Sequence, residues 1–274
     1  MKEKASSRIH YYENSQGPVI GTCSDKVIRE DGLYFRDING DGKLNTYKDW
    51  RKSPEERARA LAEDLSAEEK IGLLFLNSWK MGMEQEDKDF VDETGLLDEK
   101  PVEKGSSIFA TSSTVGTTET IKDWKVLTFI LRSNPKPDEL ADWINEMNSL
   151  AEEGEHFIPV MVVSNSRNEN GEVVFGMNDA SGVFAAWPGT MGIAAAVKGD
   201  GIHIIDDFAD CIRREWDAVG MKKGYMYMAD CATDPRWQRT YGTFGEDPKL
   251  IKEIFEHLIP GVQGSQEGLT PDGV

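Results

Sequence analysis

Residues 157–164 read FIPVMVVS and are apolar at almost every position rather than at every second one. A strand with one face in water alternates, whereas a strand covered on both faces does not. This run therefore predicts a buried parallel strand, and parallel pairing needs a crossover through a helix. The sequence supplies such helices on both sides. NPKPDELADWINEMNSLAEEG places Leu140, Ile144, Met147 and Ala151 on one face, and Gly154 closes it. GIHIIDDFADCIRREWDAVG, 201–220, turns Ile205, Phe208, Ala209, Ile212 and Trp216 inward and ends at Gly220. YMYMAD, 225–230, reads as a further strand, and WKVLTFILR, 124–132, as an earlier buried one. DPKLIKEIFEHLIPG reads as a helix capped by Asp247 with Pro248 at its first position. Strand and helix thus alternate through the second half, which predicts an α/β class with right-handed crossovers. An open doubly wound sheet and a barrel both satisfy the pattern.

The first half is less regular. Residues 1–52 read as an irregular arm punctuated by Gly17-Pro18, Gly21 and Asp31-Gly32. Two helices then follow closely, SPEERARALAEDL and SAEEKIGLLFL. Each opens with a capping box, Ser53 with Glu56 and Ser66 with Glu69, and the first has Pro54 at its first position. Residues 80–124, acidic and then rich in Ser, Thr and Gly, predict a flexible insertion. The expected division is an arm over 1–52 and one domain over 53–274.

Several chemistries are excluded. No G-x-G-x-x-G follows any predicted strand, and neither G-x-x-x-x-G-K-[ST] nor G-x-S-x-G occurs. The net charge of −18 opposes nucleic-acid binding, which needs clustered Lys and Arg. No apolar run is long enough to span a membrane, and the N-terminus has no apolar signal core, so a cytoplasmic location is expected. Cys23, Cys211 and Cys231 form no C-x-x-C. His10, His156, His203 and His257 lack metal-ligand spacing.

In parallel α/β folds chemistry sits on the loops that follow the strands. Two such loops stand out. SNSRNENG offers Asn165, Arg167 and Asn168 as partners for sugar hydroxyls, or serves only as a polar turn. ADCATDPRWQRTYGTFGEDP gathers Asp230, Asp234, Arg236, Trp237, Arg239, Glu246 and Asp247. An aromatic face beside guanidinium forks suits a pyranose or a carboxylate. Glu246 and Asp247 read first as local partners at a helix start, and as acid/base groups second. An anionic substrate clamped by Arg236 and Arg239 is a further reading.

A separate signal is DINGDGKLNTYKDW, 37–50. Asp37, Asn39 and Asp41 fall at positions 1, 3 and 5 of an EF-hand loop, Gly42 at 6 and the Lys43 carbonyl at 7. Position 12 is Lys48, and the nearest acid, Asp49, is one residue late, a turn of about 100° on a helix. The stretch reads either as a tight Asx/Gly turn or as a weak structural calcium site of Asp37, Asn39, Asp41, Lys43 and Asp49. An alternative reading of the whole chain is a non-catalytic calcium- or carbohydrate-binding module, or a pseudoenzyme, built around this stretch.

DPRWQRTYGTFGEDP, 234–248, resembles the D-P-R-W-G-R…F-G-E-D-P signature of glycoside hydrolase family 3, which includes β-glucosidases and β-xylosidases. NGDGKLNTYKDWRKSPEERARALAEDLSAEEKIGLL, IPVMVVSNSRN, AAWPGTMGIAAA and LIPGVQG resemble other landmarks of its N-terminal domain, so that the likeness covers residues 33–264 apart from 80–124. The resemblance implies an incomplete (β/α)8 barrel and retaining hydrolysis of β-linked glycosides through two carboxylates, with no required cofactor. It assigns Arg239 to the sugar in the −1 subsite. Asn165 stands where the family has a sugar-binding Asp, which exchanges charge-assisted hydrogen bonds for neutral ones, and Gln238 replaces a Gly. The family's Lys-His pair, nucleophilic Asp and general acid are expected beyond residue 274, which leaves this chain without catalytic residues. The expected partner is a β-linked oligosaccharide or glycoside, and an unpaired sheet edge predicts self-association.

Overall fold

A computed structural model of the protein describes residues 3–79, 81–101, 115–133, 135–165, 168–170 and 184–274. The arm is more regular than its sequence suggests. One helical turn, α1 (Ala5–Arg8), leads into β1 (His10–Tyr12), which pairs antiparallel with β2 (Ile20–Thr22). β3 (Val27–Glu30) and β4 (Leu33–Arg36) form a hairpin. Its turn is Asp31-Gly32, with φ of 53° and 80°, the left-handed pair that a two-residue hairpin turn needs. VIRE-DG-LYFR carried that signal, so the arm departs from the irregular coil expected.

Both capping boxes form. In α2 (Pro54–Asp64) the Ser53 side chain accepts from Glu56 N, and in α3 (Ala67–Gly72) Ser66 accepts from Glu69 N. Then come β5 (Asn77–Trp79), α4 (Thr117–Lys122), β6 (Thr128–Leu131), α5 (Pro137–Glu152) and β7 (Met161–Ser164). The two-residue pieces β8 (Glu169–Asn170) and β9 (Trp187–Pro188) pair parallel. α6 (Thr190–Asp200), α7 (His203–Val219), β10 (Lys223–Gly224) and α8 (Pro248–Gln263) complete the order. A four-stranded parallel sheet runs β10-β7-β6-β5, the mixed α/β class that the apolar runs predict. No described helix is long and apolar enough to cross a membrane.

The chain sorts into two compact units, residues 1–129 with 142–160, and 130–141 with 161–274; position 52/53 falls inside the first. In the first unit, buried carboxylates stitch the arm to α5. Glu146 accepts from Ala5 N at 2.7 Å and from Arg8 at 3.0 Å. Glu152 accepts from Thr22 Oγ1 at 3.0 Å, Cys23 N at 2.9 Å and Arg36 at 2.5 Å. Part of the expected insertion is built: Met81, Leu96 and Leu97 are buried, and the Asp92 carboxylate gathers the amides of Thr94, Leu96 and Leu97. Residues 102–114 lie outside the described ones.

In the second unit the stripe of α7 is buried throughout: Ile205, Phe208, Ala209, Ile212 and Trp216 are all 0% exposed. Gly220 ends the helix with φ of 83°. Asp247 caps α8, its side chain accepting from Lys249 N. The predicted strand over 225–230 does not form. β10 is only Lys223–Gly224, followed by an isolated bridge from Met228 to Thr243. The reason is packing: the Tyr227 ring sits between Phe208 and Phe244, with centroids 5.7 Å from each. The alternation of Tyr and Met thus serves an aromatic cluster, not a ladder.

Candidate active site

β7 and β10 are neighbours and run parallel, with Val163 opposite Lys223 and Ser164 opposite Gly224. Tyr225 N donates to Ser164 O at 3.1 Å just where both strands end. The two loops singled out in the sequence therefore leave the same end of adjacent strands. Asn165, half-buried, follows Ser164 directly, and exposed Arg239 stands on the loop after β10, at the start of a short 3-10 turn, Thr240–Gly242. Trp237 and Tyr241 are exposed on the same loop, and Thr190 at the start of α6 donates to the Tyr241 carbonyl at 3.0 Å. A flat apolar ring, a guanidinium and an amide at one sheet end are the groups a pyranose needs.

Other predicted residues are already engaged. Arg236 is held by its neighbour Asp234, Nε to Oδ1 at 2.9 Å and Nη2 to Oδ2 at 2.6 Å. That hydrogen bond keeps the Asp234 carboxyl below the usual carboxylate range. Arg236 and Arg239 thus do not present two open forks to an anion. Asp247 is spent on the α8 cap, and Glu246 is exposed. Asn168, fully buried, is structural: its Nδ2 donates to Ala185 O and Glu215 Oε2, and its Oδ1 accepts from Trp216 Nε1 at 3.0 Å. This lock was not visible in sequence, although Glu215 beside the apolar stripe of α7 was the signal available. Arg167 lies outside the described residues.

The EF-hand-like loop belongs to the first unit, and a lysine side chain lies at its centre. Lys48, with its side chain 0% exposed, places its ammonium among the oxygens expected around the metal. Nζ donates to Asp37 Oδ1 at 2.6 Å, Asp41 Oδ1 at 2.5 Å and the Lys43 carbonyl at 3.0 Å. Asn39 turns back on the loop, its Oδ1 accepting from Asp41 N at 3.3 Å. Asp49 faces Arg51, at 2.7 Å and 2.9 Å, rather than the loop centre. Calcium takes six to eight oxygens at about 2.3–2.6 Å, whereas this centre holds an ammonium. The residues do not fit the ion. Among the described residues no cluster of three or more His, Cys, Asp and Glu side chains is placed to hold a metal.

The sequence profile described as the glycosyl hydrolase family 3 N terminal domain matches residues 97–272. The chain belongs to glycosyl hydrolase family 3. It is 33% identical over 261 residues to a periplasmic beta-glucosidase/beta-xylosidase of Dickeya chrysanthemi, covering 94% of this chain and 36% of that one. Among solved structures it is similar to a β-glucosidase from Erythrobacter marinus, with a TM-score of 0.55, 19% identity and coverage of 83% and 26% of the two chains. It is also similar to a family 3 beta-N-acetylglucosaminidase from Paenibacillus, with a TM-score of 0.52, 19% identity and coverage of 73% and 31%. The chain spans about a third of the length of the curated relatives it matches. Family 3 membership rests on the profile, and the structural likenesses, at this identity, show the fold.

Proposed function

We propose that this chain supplies the −1 sugar-binding part of a retaining β-glycosidase that acts on terminal β-linked glucosyl-type sugars. The observation that carries the reading is the placement of Asn165 and Arg239 on loops leaving one end of the adjacent parallel strands β7 and β10. The relative from Dickeya, named a beta-glucosidase/beta-xylosidase, supports the substrate class. Retaining hydrolysis needs a nucleophile and a general acid. Asp234 is bound to Arg236 and Asp247 to the start of α8, so neither is free for those roles, and Asp230 and Glu246 are the loop carboxylates that the activity assay below tests. We infer that the 274-residue chain binds sugar without cleaving it. Calorimetry with a β-glucoside is expected to show millimolar affinity, weakened roughly tenfold or more by Arg239→Ala, as loss of a charged hydrogen bond implies. The same protein should release no aryl alcohol from an aryl β-glucoside. Turnover at about 1 s⁻¹ or faster defeats the inactivity, and unchanged affinity in Arg239→Ala defeats the subsite.

We further infer that the chain associates with itself. Among the described residues β5 stands at an edge of the sheet. Just before it, Leu74 is 85% exposed and Phe75 56%. An open edge beside bare apolar side chains recruits another strand or surface. Sedimentation velocity should show association that grows with protein concentration and falls in the double variant Leu74→Lys, Phe75→Lys. A sharp monomer at every concentration refutes it.

A further inference from the structure

We propose that Lys48 is the resident cation of an EF-hand-type loop, which makes residues 37–49 calcium-independent and one substitution away from a calcium site. The register of the loop carries the first half. Asp37, Asn39, Asp41, the Lys43 carbonyl and Asn45 occupy positions 1, 3, 5, 7 and 9, each an oxygen supplier, and Lys48 occupies position 12, where a bidentate acid belongs. The chain turns sharply at position 6, where an EF-hand loop has its glycine. Gly42, at the sharp turn, has φ of 71°, and its N–H donates to Asp37 Oδ2 at 2.9 Å.

The chemistry of the ammonium carries the second half. A lysine has three donors and no acceptor. Here the three acceptors are Asp37 Oδ1, Asp41 Oδ1 and the Lys43 carbonyl, so every N–H is placed. One positive charge lies against two carboxylates, and the side chain that carries it is fully buried. Tyr47 lies alongside, its ring centroid 5.8 Å from Nζ. At position 9, Asn45 Oδ1 is buried and accepts no hydrogen bond, so the ammonium does not engage every oxygen position of the loop. Lys48 thus does by hydrogen bonding what calcium does by coordination, and the turn leading into α2 needs no metal to hold its shape.

The test compares wild type with Lys48→Glu, which restores the position-12 carboxylate and converts the loop charge from −1 to −3 on Asp37, Asp41 and residue 48. Calcium is titrated by calorimetry, and terbium by emission excited through Tyr47 and Trp50. The wild type should show no saturable calcium binding at millimolar metal and no change in melting temperature with a chelator. Lys48→Glu should bind calcium at least about tenfold more tightly, with Kd at or below about 1 mM, and should melt higher with calcium than with chelator. Adding Asp41→Asn to Lys48→Glu should weaken that binding. If Lys48→Glu does not fold, Lys48→Gln decides the same point, because removing the ammonium should open the loop to terbium. Saturable calcium binding by the wild type overturns the proposal. So does a folded Lys48→Glu, or a Lys48→Gln standing in for it, that gains no affinity for either ion.

Discussion

Trp216→Ala should lower the stability of the second unit by about 3–5 kcal/mol, the range for removing a fully buried Trp. Trp216 is 0% exposed and lies on the inner stripe of α7. A Cβ on Gly224 would come within 3.4 Å of its ring, so the indole fills the space directly behind β10. Its Nε1 also holds Asn168 Oδ1 at 3.0 Å, and Asn168 in turn holds Ala185 and Glu215. Truncation therefore creates a cavity and orphans a buried acceptor in one step. Urea denaturation followed by circular dichroism measures the loss. Trp216→Phe separates the two contributions, because it keeps most of the volume and drops only the hydrogen bond, at a cost of about 1–3 kcal/mol. Sugar affinity should fall with it, since Asn165 stands three residues from Asn168 on the same loop. A loss below about 1 kcal/mol in Trp216→Ala contradicts the packing described.

What the sequence made legible follows from which signals are local. The α7 stripe was readable because five side chains at helical spacing all had to be buried, and all are. The capping boxes of α2 and α3 were readable because each joins residues three apart. α6 is not visible in sequence: MGIAAAV is apolar at every position, so the helix has no contrasting face to detect, and only Gly189 marks its start. The 225–230 strand was misread because the destination of Tyr227, between Phe208 and Phe244, is set by residues far along the chain. The candidate site shows the same split. DPRWQRTYGTFGEDP was legible as a signature, but the pairing of Arg236 with Asp234 and of Asn168 with Glu215 and Trp216 appears only when side chains have directions. Position 12 of the loop reads in sequence as a defect in a metal site, because sequence gives the residue type but not where its ammonium points.

Lys48→Met tests that reversal by stability alone. Methionine matches the length of the lysine stem, so packing is nearly conserved and the change isolates the charge. Removing one partner of a buried ion pair costs about 3–5 kcal/mol, because the other charge stays behind without compensation. Asp37 is 6% exposed and would keep only the Gly42 amide on its other oxygen. The Lys43 carbonyl would lose its donor as well. A fall in melting temperature of roughly 10 °C is expected for a protein of this size. Acid supplies the cross-check. The Lys48 hydrogen bond, helped by the Lys43 amide, holds the Asp41 carboxyl down to about 2. A depressed carboxyl contributes stability above its unfolded value of about 4, and the contribution is lost as pH falls from there towards about 2. Asp41 is 38% exposed on its side chain, so solvent screens part of this effect and the slope should be shallow. The wild type should therefore lose more stability than Lys48→Met between about pH 4 and 2, and the two curves should draw together. Parallel curves, or a Lys48→Met protein as stable as the wild type at neutral pH, would show that the ammonium does not hold the loop.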